Sequence, residues 1–202
     1  AASCPEYLDN TIKKHEFTRP DKENDRVRHV EALNSQTGPV FLTYRADAEL
    51  DATFAKIVEG DPDIDFTAKD GVRHSSWRID DDATIAKIEQ RFSTIANLYI
   101  ADGHHRSAAA GRVFESRKGA GNSGTFLTVI FPHDQMQILA YNRALKNLNG
   151  STAEEFLAKL GSIFDIAPSD AAVDPKAKHQ LGLYLAGKWY SLKFKSELTS
   201  SP

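Results

Sequence analysis

A short apolar run, Asn97-Leu98-Tyr99-Ile100-Ala101, breaks off into Asp102-Gly103-His104-His105-Arg106 and is followed by alanine-rich residues 107–117. This junction constrains the fold more than any other stretch of the chain. The first run has the length and apolarity of a buried strand, and the last is built from good helix formers. A strand that runs almost directly into a helix belongs to a mixed α/β (α+β) architecture, in which the helix packs back on its sheet. The junction also predicts a site. The first N–H groups of a helix have no intrahelical partners, so an anion is expected at the helix start near Ser107. Gly103 lets a ligand approach the backbone closely, and Arg106 offers a planar fork of donors suited to phosphate. His104 and His105 add donors or position a proton. Asp102 breaks the pattern, because a carboxylate beside a phosphate is unfavourable unless a metal or a transferred proton uses it. The competing reading is a polar turn whose Asp102 caps the helix. A metal centre is the weaker alternative, since Asp102 with His104 or His105 needs further ligands from elsewhere.

A second polar cluster lies near the start of the chain: His15, Glu16, Arg19, Lys22, Asp25 and Arg26. Pro20 followed by Asp21 and Glu23 marks a helix start, which predicts a helix from 20 to about 34 burying Val27, Val30 and Leu33. On that helix Lys22 and Arg26 share a face. His15 and Glu16 precede the helix and can face the same anion-attracting end. Glu16 then suits a general base toward a substrate hydroxyl, with Arg19 or Lys22 holding a phosphate or carboxylate. The alternative is a solvated helix face with routine ion pairs. Two such clusters in one small domain are most simply one site, so Glu16 or Arg19 is expected beside the 102–106 turn. His74 is balanced between a buried histidine and a substrate contact, whereas His29, His133 and His179 read as surface or structural.

Elsewhere the pattern predicts helices over 5–14, 48–58, 83–92 and 153–160. Strands are expected over 39–44, 64–67, 72–79, 126–131, 137–141 and 163–166, with a hairpin over 181–185 and 189–194. Leu50, Phe54, Ile57 and Val58 should point inward from the 48–58 helix. Asp80-Asp81-Asp82 reads as a helix N-terminal cluster. Residues 118–124, rich in glycine, follow a helix and read as a linker or flap. The composition changes after 142. This divides the chain into a core, 1–142, with its phosphate-binding turn at 102–106, and a small α+β subdomain, 143–202.

The net charge of −3 argues against a dedicated nucleic-acid binder. The one cysteine, Cys4, leaves no internal disulfide and fits a reducing cytoplasm. No apolar run reaches membrane-spanning length and no leader precedes Ala1, so a cytoplasmic protein without membrane attachment is expected. Its oligomeric state is not legible in the sequence.

The stretch Ile12-Lys13-Lys14-His15-Glu16-Phe17-Thr18-Arg19-Pro20-Asp21-Lys22-Glu23, residues 40–44, His74-x-x-Trp77, residues 99–106, Tyr141-Asn142-Arg143 and Leu148-Asn149-Gly150 together resemble a bacterial and archaeal family of uncharacterised conserved proteins. That family is the one numbered 1015 among domains of unknown function. Its members are usually longer, with a leading segment, so the resemblance implies a C-terminal piece. The Asp-Gly-His-His-Arg turn is also similar to the phosphate-binding turn of the ParB/sulfiredoxin superfamily. This second resemblance implies a mixed sheet with surrounding helices, and a nucleotide gripped at the strand–turn–helix. The free-serine kinases of that superfamily are similar in motif. By that likeness Asp102, Gly103, His104, His105 and Arg106 carry over to phosphate and metal handling, with ATP or ADP and Mg²⁺ as cofactors and Asp102 as the metal carboxylate. Glu16 matches the base by position alone.

Three functions follow as expectations. The leading one is a nucleotide-dependent phosphotransferase acting on a small hydroxylated metabolite such as serine, because phosphoryl transfer needs positioning and charge neutralisation above all. The others are a ParB-like nucleotide-binding or DNA-partitioning module, and a metal-dependent hydrolase or nuclease using His104 or His105 as base.

Overall fold

The computed structural model describes residues 1–199. It is a mixed α+β protein. In chain order the elements are β1 (Ala2–Ser3), α1 (Cys4–Leu8), β2 (Ile12–Lys13), α2 (Pro20–Leu33), β3 (Val40–Tyr44), α3 (Ala48–Ile57), β4 (Ile64–Thr67), β5 (Arg73–Ser76), α4 (Asp82–Phe92), β6 (Leu98–Asp102) and α5 (His104–Arg117). After these come β7 (Thr125–Phe126), β8 (Thr128–Pro132), α6 (Ala153–Leu160), β9 (Phe164–Ser169), β10 (Gln180–Leu185), β11 (Lys188–Phe194) and α7 (Ser196–Thr199). The chain divides into two compact units, Ala1–Gln137 and Ile138–Pro202. Among the described residues no helix is long and apolar enough to cross a membrane.

The first unit is organised by a four-stranded sheet in the order β2-β6-β3-β8. β2 runs parallel to β6, β6 antiparallel to β3, and β3 parallel to β8. Alternation along β3 buries Val40, Leu42 and Tyr44, which join Ile12 of β2 and Ile100 of β6 in the core. α5 covers this sheet with its smallest residues. Ala108, Ala109, Ala110, Gly111 and Val113 are all buried, so the helix lies close to its neighbours, and a Cβ on Gly111 would meet the Tyr7 ring at 3.3 Å. The strand expected over 126–131 is divided at Leu127. β7 pairs with β1, whereas β8 pairs with β3. Between them the Gln36 side chain bridges the two, accepting from Leu127 N–H at 2.6 Å and donating to the Thr125 carbonyl at 3.0 Å.

Several elements depart from expectation. The helix predicted over 5–14 ends at Leu8, and the chain then contributes β2 to the sheet edge. α2 buries no residue. Val27 and Val30 are half-buried and Leu33 is exposed, because the helix leans on α5 along one flank only. That flank is largely polar: Arg112 donates to Glu23 and Asn24, and Arg117 donates to Asn34. On α3, Leu50 and Thr53 are buried, Phe54 and Ile57 are half-buried, and Val58 is exposed. Asp81 caps α4 by accepting from Thr84 N–H, as an acidic helix start requires. Residues 118–124 close on a single 3₁₀ turn, Gly121–Gly124, that feeds β7.

In the second unit β10, β11 and β9 form an antiparallel sheet in that order. α6 begins with a reciprocal capping box between Thr152 and Glu155. Phe164 and Leu192 are buried, and the Phe164 and Phe194 rings pack 4.3 Å apart. The strand predicted over 137–141 does not form. Those residues are apolar enough for a strand, yet no described strand pairs with them.

Candidate functional site

β2 and β6 are parallel neighbours, so their carboxyl ends emerge side by side. β2 runs on into Lys14, His15 and Glu16; β6 runs on into Gly103 and α5. The antiparallel β3 begins at the same end, with Phe41 opposite Asp102, which brings Thr37 and Gly38 to the spot. Ligands of α/β sheets commonly sit at such strand ends. Here the ends enclose a cleft of about 490 Å³, walled by α2 on one side and the first turns of α5 on the other.

Gly103 makes the turn from β6 into α5 alone, in the left-handed region at φ 102°. The helix therefore starts at His104, three residues ahead of the expected Ser107, and both histidines and Arg106 stand in its first turn. No side chain caps it. The earliest bond from its amides to the backbone behind is Arg106 N–H to Gly103 O at 2.9 Å, so the amides of His104 and His105 precede the helical ladder.

The two sequence clusters meet here. His104, almost wholly buried, accepts at Nε2 from His15 N–H at 3.4 Å and presents Nδ1 to Glu16 Oε2 at 3.7 Å. The His15 ring stands edge-on to it, 4.4 Å between centroids. His105 Nε2 accepts from Arg19 N–H at 3.1 Å. An accepting Nε2 carries no proton, so both rings are held with the proton on Nδ1, and His104 Nδ1–H faces the Glu16 carboxylate. Burial and the neighbouring His15 push the His104 pKa below the ordinary 6.5, against the opposing pull of Glu16 and Asp102. Segment 15–19 is thus strapped to α5 by two imidazoles.

Arg106 folds back over Gly103 and donates to Asp102 Oδ2 at 2.6 Å. A Cβ on Gly103 would lie 3.1 Å from Nε and Nη2 of Arg106 and 3.3 Å from Val40 Cα, and one on Gly38 would lie 3.2 Å from Nη1. The guanidinium occupies the space that side chains at 38 and 103 would need.

Of the residues singled out in the sequence, Glu16, Lys22, Asp102, Gly103, His104, His105 and Arg106 line the cleft. Arg19 does not. It gives its backbone N–H to His105, while its side chain pairs with Asp21 at 2.9 Å. Ser107 is fully buried, its hydroxyl 3.1 Å from the His104 carbonyl and 3.3 Å from that of Gly103, so it supports the turn and does not face a ligand. His29, read as surface or structural, lines the cleft with Arg26. The spacing 22, 26, 29 is the signal for it, since these positions fall on one helix face. His74 lies outside, stacked on Phe66 on an exposed hairpin. His133 holds a loop by accepting from Ala46 N–H. Cys4 is buried and its thiol is pushed up to about 11, which withholds a thiolate. Among the described residues no group of three or more His, Cys, Asp or Glu side chains is placed to hold a metal ion.

A family model described as "Protein of unknown function (DUF1015)" matches residues 1–201. The chain belongs to this family. No curated protein and no solved structure matches it.

Proposed function

We propose that the chain is a nucleotide-dependent phosphotransferase that moves the terminal phosphoryl of ATP or ADP to the hydroxyl of a small metabolite, serine being one such acceptor. The observation that supports this reading best is the convergence of Glu16, His104, Asp102 and Arg106 at the uncapped start of α5. Phosphoryl transfer asks a protein to anchor phosphates and to receive one proton. The α5 amides, Gly103 and the Arg106 guanidinium are the anchors, and His105 stands beside them. Glu16 is the base. It takes the hydroxyl proton as the acceptor oxygen bonds to phosphorus, and the bond to the nucleoside diphosphate or monophosphate breaks. The buried imidazole of His104 turns Nδ1 toward that carboxylate, 3.7 Å away.

Mg²⁺ is commonly held by one or two carboxylates together with substrate phosphates. Asp102, whose side chain is exposed, fits such a single-carboxylate role, and the ion would neutralise phosphate charge there. The strand–glycine–helix turn also supports kinship with the ParB/sulfiredoxin superfamily, and Cys4 as a free thiol supports a cytoplasmic setting.

Calorimetry with ATP and ADP, followed by a transfer assay against pooled hydroxylated metabolites, tests the reading. Arg106→Ala should weaken nucleotide binding by about tenfold or more, as loss of a charge-assisted contact implies. Glu16→Gln should abolish transfer and leave nucleotide binding in place. A wild-type chain that binds neither nucleotide, or a Glu16→Gln chain with full turnover, overturns it.

A further inference from the structure

The α2 wall of the cleft is oddly charged. Elsewhere on α2 and α5, Arg28 pairs with Asp25, Arg112 with Glu23 and Asn24, and Arg117 with Asn34. The side chains of Lys22, Arg26 and His29 make no hydrogen bond and no ion pair with any described residue, and these are the α2 side chains with basic groups that line the cleft. Their spacing sets them on one face over about 10 Å of helix, at 1.5 Å per residue. Cations four apart on a helix repel, so the arrangement works against the isolated helix. Neither cleft carboxylate pairs with these side chains: Asp102 takes the Arg106 guanidinium, and Glu16 faces the His104 imidazole.

We infer that the Lys22–Arg26–His29 face is a binding surface for an anionic group of the ligand, separate from the group held at the start of α5. The occupants of the cleft then carry at least two anionic groups between them. The surface stands on the unpaired cations alone. Naming its occupant rests on the phosphotransferase reading, which offers two sources of the same chemistry: the nucleotide's own phosphate chain, or a carboxylate or phosphate on the acceptor metabolite.

The test is calorimetry on the whole chain with three probes (tripolyphosphate, ATP, and glycerate as a hydroxylated carboxylate). Wild type is compared with Lys22→Gln/Arg26→Gln, with single Arg26→Gln, with His29→Gln, and with Arg28→Gln, which matches single Arg26→Gln in charge, as a control on the same helix. Each variant is first melted to establish folding, and His29→Gln and single Arg26→Gln keep the test open if the double variant does not fold. The double variant should lose about tenfold or more for at least one probe, while Arg28→Gln matches wild type. Loss for tripolyphosphate and ATP assigns the surface to the nucleotide's phosphates. Loss for glycerate alone assigns it to the acceptor. Tripolyphosphate bound through this face with no affinity for ATP or ADP would sink the phosphotransferase reading and leave the anion surface standing. The inference is overturned if no probe binds wild type, if the α2 variants bind every probe as wild type does, or if Arg28→Gln loses as much as they do.

Discussion

At Gly103 the backbone turns at φ 102° with Arg106 and Val40 pressed against the place where a Cβ would be. Alanine there is strained twice, by the left-handed conformation and by the contact. Gly103→Ala should therefore destabilise the chain by more than about 1 kcal/mol and displace Arg106 from Asp102. Chemical denaturation checks the first part and Arg106→Ala epistasis the second. An unchanged midpoint would show that the turn has room to relax. His104 carries a different liability. Its folded pKa lies below 6.5, so the unfolded chain takes up a proton more readily than the folded one. The associated stability is complete above 6.5 and declines as pH falls from there toward the folded value. Melts across that window should show wild type losing stability and His104→Gln losing less; equal slopes would place the acid sensitivity elsewhere. At this scale much of the site was legible, because Asp102-Gly103-His104-His105-Arg106 and the cluster around Glu16 are dense in polar groups that a solvated turn does not need. His29 was read as surface or structural although it continues the Lys22–Arg26 face, since choosing what a polar helix face meets requires knowing what lies opposite.

Among the elements, α3 and α4 are joined through Arg91, which holds Asp47 and also approaches Glu49 at 3.4 Å. Asp47 caps α3 by accepting from Glu49 and Leu50 N–H, and receives a two-pronged contact from Arg91 of α4. The Arg91 hydrogen bonds, with help from the capping amides, lower its pKa from 3.8 to about 2. A lowered carboxylate supplies stability that is present above 3.8 and lost as pH falls toward about 2. The protection of α3 and α4 amides, taken relative to the intrinsic rate at each pH, should fall over that interval, and Asp47→Asn should be weakly protected throughout. Protection that is constant in acid would remove the clamp from the account. The helices after the first were readable from period and caps to within a few residues, whereas the one predicted over 5–14 ends at Leu8. α5 begins early because one glycine completes a turn that ordinary residues would need several positions to make. Residues 137–141 fail as a strand for a reason that composition cannot carry: a strand exists by virtue of its neighbour.

Across the whole molecule, every residue of the cleft belongs to the unit Ala1–Gln137. The second unit opens with residues 138–150, which form no helix or strand and expose Ile138, Leu139, Tyr141 and Leu145. Exposed chain without secondary structure is where proteases cut first. Brief chymotrypsin treatment should cleave at 139–145, and the N-terminal fragment, which holds the whole unit 1–137, should keep the wild-type affinity for tripolyphosphate. Simultaneous degradation of both halves, or loss of affinity on cleavage, would show that the first unit does not stand alone.

The strap that carries Glu16 meets α5 across 86 to 89 residues of intervening chain. The strap follows directly from β2, which pairs with β6, so the complete cleft is a property of the assembled sheet. A ligand that prefers the folded cleft to the unfolded chain raises stability by an amount set by its concentration relative to its Kd. The melting temperature of this chain is thereby a thermometer for ligands whose chemistry has yet to be guessed, responding to true occupants of the cleft before any reaction has been observed.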